Sequence, residues 1–476
     1  MAKHYGADSM MSTCAQSSLV RGHRSVAGLL LALALCLPLT ASAGLDPRFG
    51  SGGKLFLDFP ASAFTLDAFG NLYVAGATCG ASCQLIIAKF DSTGAPVRSF
   101  GTNGTALISI GANSYASGIA LDGSGNLYVS GVTEDAAHTL TSRAFAVVKL
   151  DSKGNLVTTF GDAGKQVVKY ATDSVDEPPV GVVLTPAGSV YLSGTSIYGG
   201  TQFTVAKLDS SGNLSWLRAV RFGNNDFLNH GDRLSETVAD PAGNLFVAGI
   251  TVGIQVPAPF CEIAKLDSAG ALIPSFGSGG KRIVALTAGQ LGCTTIAQDR
   301  NGNVYIAGAD NNAIRIVKLD ANGNEVNGFG VNGVLTIDVG PDDYASRIKF
   351  DTRGNLWVFG YTATGFVPGF PLGTETYSLV IAKIDPNGNL AADFGSGGKQ
   401  VISIGLSDYA TSGAVDGGGG VYVLGQTSVA NQPQSVIVKL TELSSADIAI
   451  PTLSNLAVAF LAGLVAVSGA VFVGRR

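Results

Sequence analysis

The chain has 476 residues, of which 64 are glycine and only 14% are charged, and its formal net charge is -5. That length fits either a few ordinary domains or one large repeat array; many glycines between short Val/Ile/Leu/Tyr runs favour the array, because they mark tight turns between short strands. Lys and Arg are scattered, which excludes a nucleic-acid footprint built from clustered basic residues.

The N-terminus reads as a targeting segment. Arg21, His23 and Arg24 form a basic region, Val26 to Leu39 is apolar, and Ala41-Ser42-Ala43 is a small-residue cleavage signature. Residues 1–43 are therefore expected to be a signal peptide, with the mature chain starting near Gly44; an uncleaved anchor is the alternative. Cys14 and Cys36 leave with that segment. Cys79, Cys83, Cys261 and Cys293 remain, an even number suited to an oxidising compartment. Four cysteines allow three connectivities. The expected pairing is Cys79–Cys83 closing a small loop and Cys261–Cys293 linking neighbouring repeats. A metal site is the alternative, and wide spacing with only His138 and His230 in the mature chain argues against it.

From residue 44 to 446 the chain repeats itself. Lys89, Lys149, Lys207, Lys265, Lys318, Lys383 and Lys439 recur in segments such as AVVKLD, followed by turns such as Asp151-Ser152-Lys153-Gly154-Asn155. A Phe-Gly turn recurs at Phe49, Phe100, Phe160, Phe222, Phe276, Phe329 and Phe394. A third block, of the form NLYVAG, begins at Asn71, Asn126, Ser189, Asn244, Asn303, Asn355 and Gly420. Each unit holds four candidate strands; in the third these are Lys165–Tyr170, Val180–Leu184, Val190–Ser193 and Phe203–Leu208. Tandem four-stranded units predict an all-β, seven-bladed β-propeller, with a β-solenoid as the alternative. Asp and Gly of the D-x-x-G-N turns serve hairpin geometry rather than calcium, since the dense oxygen ladder of a calcium loop is missing. The recurring aromatic of the third block is expected to pack between blades, and the recurring lysine to guard an edge strand. The fourth unit departs most, stretched over Trp216 to Asp226.

The K-L-D-x-x-G-N, F-G-x-x-G and G-N-L-Y-V-x-G blocks resemble the delta-60 repeat of bacterial exported proteins. The resemblance covers Leu45 to Leu440 and implies a propeller-like fold without an established activity.

Residues 447–476 form a second targeting element. Ile450-Pro451-Thr452-Leu453-Ser454 precede Leu456 to Val473, an uncharged run of roughly 27 Å as a transmembrane helix, and Arg475-Arg476 close the chain. The terminal arginines are expected to stay cytoplasmic. This order of parts resembles the IPTL-CTERM sorting signal of Gram-negative bacteria. It implies recognition by an exosortase-like membrane peptidase, with at least transient anchoring in the inner membrane.

No catalytic constellation is legible, and no metal or cofactor is expected. His138 and His230 have no motif beside them, and the adjacent carboxylates Asp176-Glu177 and Asp342-Asp343 read as loop charges. Length differences between units are the better pointer to binding. The largest insertion, Thr362 to Tyr377, carries Phe366, Phe370 and Tyr377 and is the candidate loop for a surface ligand or partner; shorter ones are Glu134–Ser142, Asp173–Pro179 and Val252–Phe260. The expected function is an exported, envelope-sorted binding or scaffold module; the alternative is an extracellular carbohydrate-active hydrolase or lyase using loop carboxylates at the propeller mouth.

Overall fold

A computed structural model describes residues 44–137, 143–169, 181–197, 201–222, 231–252, 260–284, 292–310, 312–367, 374–429 and 432–441. The expected signal peptide, His138, His230, Asp176-Glu177, Phe370, the Ile450–Ser454 motif and the C-terminal apolar run lie outside these residues.

The described strands form seven antiparallel sheets, the blades of a β-propeller. Blade one is β3 (Ala61–Leu66), β4 (Leu72–Cys79), β5 (Cys83–Phe90) and β6 (Thr105–Ile108). Blade two is β7 (Asn113–Leu121), β8 (Leu127–Glu134), β9 (Ala144–Leu150) and β10 (Lys165–Val168). Blade three is β11 (Gly181–Leu184), β12 (Val190–Ile197), β13 (Thr201–Leu208) and β14 (Leu214–Val220). Blade four is β15 (Gly231–Ala239), β16 (Leu245–Val252), β17 (Phe260–Leu266) and β18 (Lys281–Val284). Blade five is β19 (Cys293–Gln298), β20 (Val304–Asp310), β21 (Ala313–Leu319) and β22 (Val334–Ile337). Blade six is β23 (Asp343–Phe350), β24 (Leu356–Val367), β25 (Thr374–Ile384) and β26 (Lys399–Ile402). Blade seven takes β27 (Asp408–Val415), β28 (Val421–Val429) and β29 (Gln432–Thr441) from the end of the repeat region, and β1 (Gly44–Leu45) and β2 (Lys54–Phe56) from its beginning.

That exchange closes the ring. β1 and β2 both pair with β29, in the registers Leu45↔Leu440 and Leu55↔Ile437. It also corrects the grouping of strands read from the sequence. Lys165–Val168 opens the third sequence unit but is the outer strand of blade two, paired with β9. Every sequence unit is thus offset by one strand from its blade, and the incomplete first unit supplies the strand that the last one lacks.

The core is divided among seven apolar clusters, one at each junction between neighbouring blades. Ala75, Leu85 and Ile87 of blade one meet Leu127, Val129 and Val148 of blade two. Phe64, Leu72 and Val74 meet Tyr422, Leu424 and Ile437 across the closing junction. A blade alone therefore exposes both apolar faces, and stability comes from stacking.

The recurring lysine does not guard an edge. It sits on the third strand of its blade, paired on both sides, with its ammonium over the aromatic ring of the second strand. Lys89 lies 4.6 Å from the Tyr73 centroid, Lys265 4.8 Å from Phe246 and Lys318 5.0 Å from Tyr305. The Phe of the Phe-Gly turn meets the same ring edge-on, as in Tyr128–Phe160 at 5.6 Å and Trp357–Phe394 at 4.9 Å. Both contacts suit the negative face and positive edge of an aromatic quadrupole. Lys207 and Lys265 also donate to carbonyls in the next blade, of Ser268 and Ala321. The lysines on outer edge strands are others: Lys54, Lys165, Lys281 and Lys399 open β2, β10, β18 and β26.

Blade three explains the irregular fourth unit. Its third and fourth strands are joined directly, so Phe222 falls after β14 rather than before it. Trp216 on β14 takes the vacated place, 5.8 Å from Tyr191, while Phe222 packs on Phe203.

Candidate ligand-binding face and channel

The first strand of each blade lines the central channel. All first strands begin at one end of the ring, so antiparallel pairing fixes the two faces. The hairpins joining first to second strands lie at the far end, which we call the turn face. The hairpins joining second to third strands, and the connections between blades, lie at the near end, the loop face. Three of the four sequence insertions, Glu134–Ser142, Val252–Phe260 and Thr362–Tyr377, begin or end on strands that reach the loop face, and Asp173–Pro179 lies outside the described residues.

The turn face is given to geometry. The Asp151 carboxylate accepts the backbone N–H groups of Lys153 and Asn155, both at 2.9 Å, and Gly154 holds φ 85°. A left-handed φ of this kind favours glycine, and an Asp that closes its own turn has its oxygens committed.

The largest insertion is a lengthened hairpin rather than a loop. β24 continues to Val367 and β25 resumes at Thr374, with Ala363 opposite Tyr377 and Phe366 opposite Glu375. It places Tyr377 within a four-tyrosine cluster. Tyr344 stacks on its cross-strand partner Tyr361 at 4.9 Å. Tyr409 of blade seven stands 5.1 Å from both Tyr361 and Tyr377. Together with Thr294 and Ala309 of blade five, the four rings line a recess of about 370 Å³. Hydrogen bonding from the Tyr377 hydroxyl to Glu375, together with burial and the Glu375 charge, pushes that phenol above its usual range. Burial and the neighbouring phenols do the same for Tyr361. Tyr361 and Tyr377 therefore remain neutral phenols. Tyr344 and Tyr409 escaped the sequence reading, although Asp343-Tyr344-Ala345 and Asp408-Tyr409-Ala410 repeat at equivalent places.

Asp343 is not free for chemistry. It is buried and accepts the backbone N–H groups of Val339 and Gly340, at 2.7 and 3.2 Å. Asp408 does the same for Ile404 and Gly405.

The first strands share a second device that sequence reading missed. Among the described residues, their pairing with the second strands skips one residue in six blades, leaving Ser62, Ser117, Ser235, Thr294, Ser346 and Thr411 as bulged hydroxyl residues. Two of them reach the next blade: Ser235 donates to the Cys293 carbonyl at 2.8 Å and Thr294 to the Ala345 carbonyl at 2.7 Å. Beside the bulge the chains come close. A Cβ on Gly360 would lie 2.0 Å from the Tyr344 carbonyl oxygen, which is why the third sequence block ends in glycine.

The residue after the bulge faces the channel. Glu236, Thr295 and Arg347 hold this place in blades four, five and six. Glu236 Oε1 accepts from Arg347 Nη1 at 2.5 Å and Lys349 Nζ at 3.3 Å. Its Oε2 accepts from the Thr295 hydroxyl at 2.5 Å and the Ile296 N–H at 3.1 Å. Burial alone would raise the Glu236 pKa, but these donors outweigh it and hold the carboxyl below its usual range.

Cys79 is bonded to Cys83, and Cys261 of blade four to Cys293 of blade five.

No protein-family model and no curated protein matches the chain. Among solved structures, the β-propeller domain of the Trilobed protease from Pyrococcus furiosus aligns at 10% identity with TM-score 0.44, covering 81% of this chain and 98% of that one. A protein from Lactobacillus plantarum aligns at 16% identity with TM-score 0.43, covering 75% and 92%. The GH43 endo-arabinanase from Bacillus licheniformis aligns at 13% identity with TM-score 0.30, covering 54% and 92%. Likenesses of this order fix neither activity nor ligand.

Proposed function

We propose that this chain is an exported β-propeller that serves as a non-catalytic binding platform at the cell envelope, with its ligand seated on the tyrosine-lined recess of the loop face. The observation that carries this reading is the convergence of Tyr344, Tyr361, Tyr377 and Tyr409, from two blades, around one recess. Tyrosine gives large, stiff, amphipathic contact area at low entropic cost, and recesses between blade loops are sites for binding on a rigid scaffold. Paired Cys79–Cys83 and Cys261–Cys293 support export, since such bonds persist in oxidising compartments. Sorting through Ile450–Ser454, with an exosortase-like peptidase acting on the tail, completes the proposal. The hydrolase or lyase alternative needs two uncommitted carboxylates facing one substrate. In the described channel, Glu236 is saturated by donors, and Asp240 and Asp299 at its mouth close their own turns.

Two measurements test it. Labelled protein applied to cells of its native strain should bind, and Tyr361→Ala/Tyr409→Ala should bind roughly tenfold more weakly, the loss of about 1.4 kcal/mol of aromatic contact. Undiminished binding by the double variant would refute the recess as the site. Fractionation and mass analysis should find a mature chain lacking the final helix, retained at the surface in a Pro451- and Thr452-dependent manner. A full-length chain in the inner membrane with or without the motif would refute sorting.

A further inference from the structure

The channel holds a charge imbalance that a purely structural tie between blades does not require. At the place after the bulge, blades one, two and seven carry only Ala63, Gly118 and Ser412, and Gly181 stands at the equivalent register of blade three, so the channel narrows little there. Blades four to six carry Glu236, Thr295 and Arg347, and Lys349 follows two residues on. One carboxylate thus faces two cations. Both reach the same oxygen, Oε1, while Oε2 is filled by Thr295 and Ile296. One positive charge is left over in a partly enclosed space, where its field is screened less than at a surface.

The geometry shows where that charge is presented. The Lys349 side chain keeps 45% of its surface exposed and lines both a chamber of about 320 Å³ and the wider vestibule of about 1030 Å³ that opens to the turn face. Lys349 spends one donor on Glu236, at a long 3.3 Å. Arg347 Nε, at the chamber wall, is a buried donor without a hydrogen-bond partner. Other charges around the vestibule are committed. Lys265 and Arg300 donate to the carbonyls of Ala321 and Thr352, and Asp240 and Asp299 close turns. The chamber is also lined by Ser193 of blade three, Ser412 of blade seven and Thr65 of blade one, all hydroxyl residues.

We propose that this chamber is a binding site for a small hydroxylated carboxylate of sugar-acid size. Its carboxylate would pair with the exposed Lys349 ammonium in the positive field of Arg347, and its hydroxyls would meet the serine and threonine residues of the wall. A charge-assisted bond supplies affinity, and the hydroxyl wall supplies selection over simple anions. The chamber has room for a single such ring, and the vestibule gives the way in.

The test is calorimetric titration of the purified full chain with sodium glucuronate, glucose and inorganic phosphate in turn. Glucuronate is expected to bind, with affinity falling as salt rises, glucose to bind at least roughly tenfold more weakly, and Lys349→Met to lose about the same factor. Lys349→Arg should retain binding, which separates loss of the charge from loss of the fold, as should an unchanged melting temperature for Lys349→Met. No heat with glucuronate, or equal binding by Lys349→Met, would overturn the site. Phosphate binding as tight as glucuronate would overturn the assignment to a hydroxylated carboxylate.

Discussion

Glu262 gives the most direct quantitative test of the packing described above. It lies on β17 opposite Gly249, and Asp232 lies on β15 opposite Thr251. Both carboxyls lie on the same face of blade four, both are buried, and they hydrogen-bond to each other. Burial, with the neighbouring Asp232 carboxyl next in weight, pushes the Glu262 pKa up to about 8; Lys281 opposes this more weakly. The folded protein then holds one more proton than the unfolded chain between the ordinary value of 4.5 and about 8. The contribution of this group is complete below pH 4.5 and is lost as pH rises through 8, at about 1.4 kcal/mol per pH unit. From pH 5 to pH 8 the loss amounts to about 4 kcal/mol. Glu262→Gln keeps the shape and a donor for Asp232 but cannot ionise. It should match the parent near pH 5 and exceed it by about 4 kcal/mol near pH 8. Guanidinium unfolding followed by Trp216 and Trp357 fluorescence, at half-unit pH steps, reads this directly. Parent and variant curves that stay parallel from pH 5 to pH 8 would refute a neutral Glu262 in the folded state.

Three further outcomes are expected. Replacing Cys261 and Cys293 by serine removes a bridge over a sequence separation of 32 residues and should cost about 4 kcal/mol by loop-closure entropy, read as a lower guanidinium midpoint that reductant lowers further only through Cys79–Cys83. Deleting residues 44–59 leaves β29 an open edge and strips Phe49, Leu57 and Phe59 from the closing junction; protease cleavage of blade seven should appear first, and a synthetic peptide of those residues should suppress it. Gly360→Ala puts a methyl 2.0 Å from a backbone carbonyl, whereas Gly123 has nothing within 4 Å; the first should destabilise by about 3 kcal/mol or more and Gly123→Ala by less than about 0.5 kcal/mol, and equal effects would remove the bulge argument.

Seven blades were legible because each repeated block answers a local demand. Gly154 needs a left-handed φ, and the Lys, aromatic and Phe of each blade but the third stack on one another. Which strands pair was not legible. Lys165–Val168 looks the same whether it starts one sheet or finishes another, and only the closing of the ring by β1 and β2 decides. The recurring lysine was misread for the same reason: on a third strand it has no edge to guard. Phe222 was misread because its F-G-N-N-D run imitates a turn that blade three replaces with a tight hairpin and Trp216. The channel cluster was invisible because Glu236 and Arg347 belong to units two apart and meet only where the ring brings their blades to the channel. Ser235, Thr294 and Ser346 were the available signal, since a hydroxyl precedes the channel position in each of those blades.

The division of labour between the two faces follows from the stacking itself. The lysine, the second-strand aromatic and the turn phenylalanine all sit toward the turn face, and lysine bonds such as Lys265 to Ala321 cross to the next blade there. Change at any of these places is felt by two blades at once, so the repeat is kept most strictly on that side. At the other end the second and third strands can lengthen without disturbing a junction, as β24 and β25 do by carrying their pairing on to Val367 and Thr374. The channel positions are free in a different way: a bulge sets their direction through the backbone, and side chains from Ala63 to Arg347 are accommodated, with Gly118 held to glycine by the close approach of Gly181. A seven-fold scaffold therefore leaves two kinds of position open to individual chemistry, the loop-face hairpins and the inner strands, and these are where the tyrosines and the Glu236–Arg347–Lys349 cluster stand.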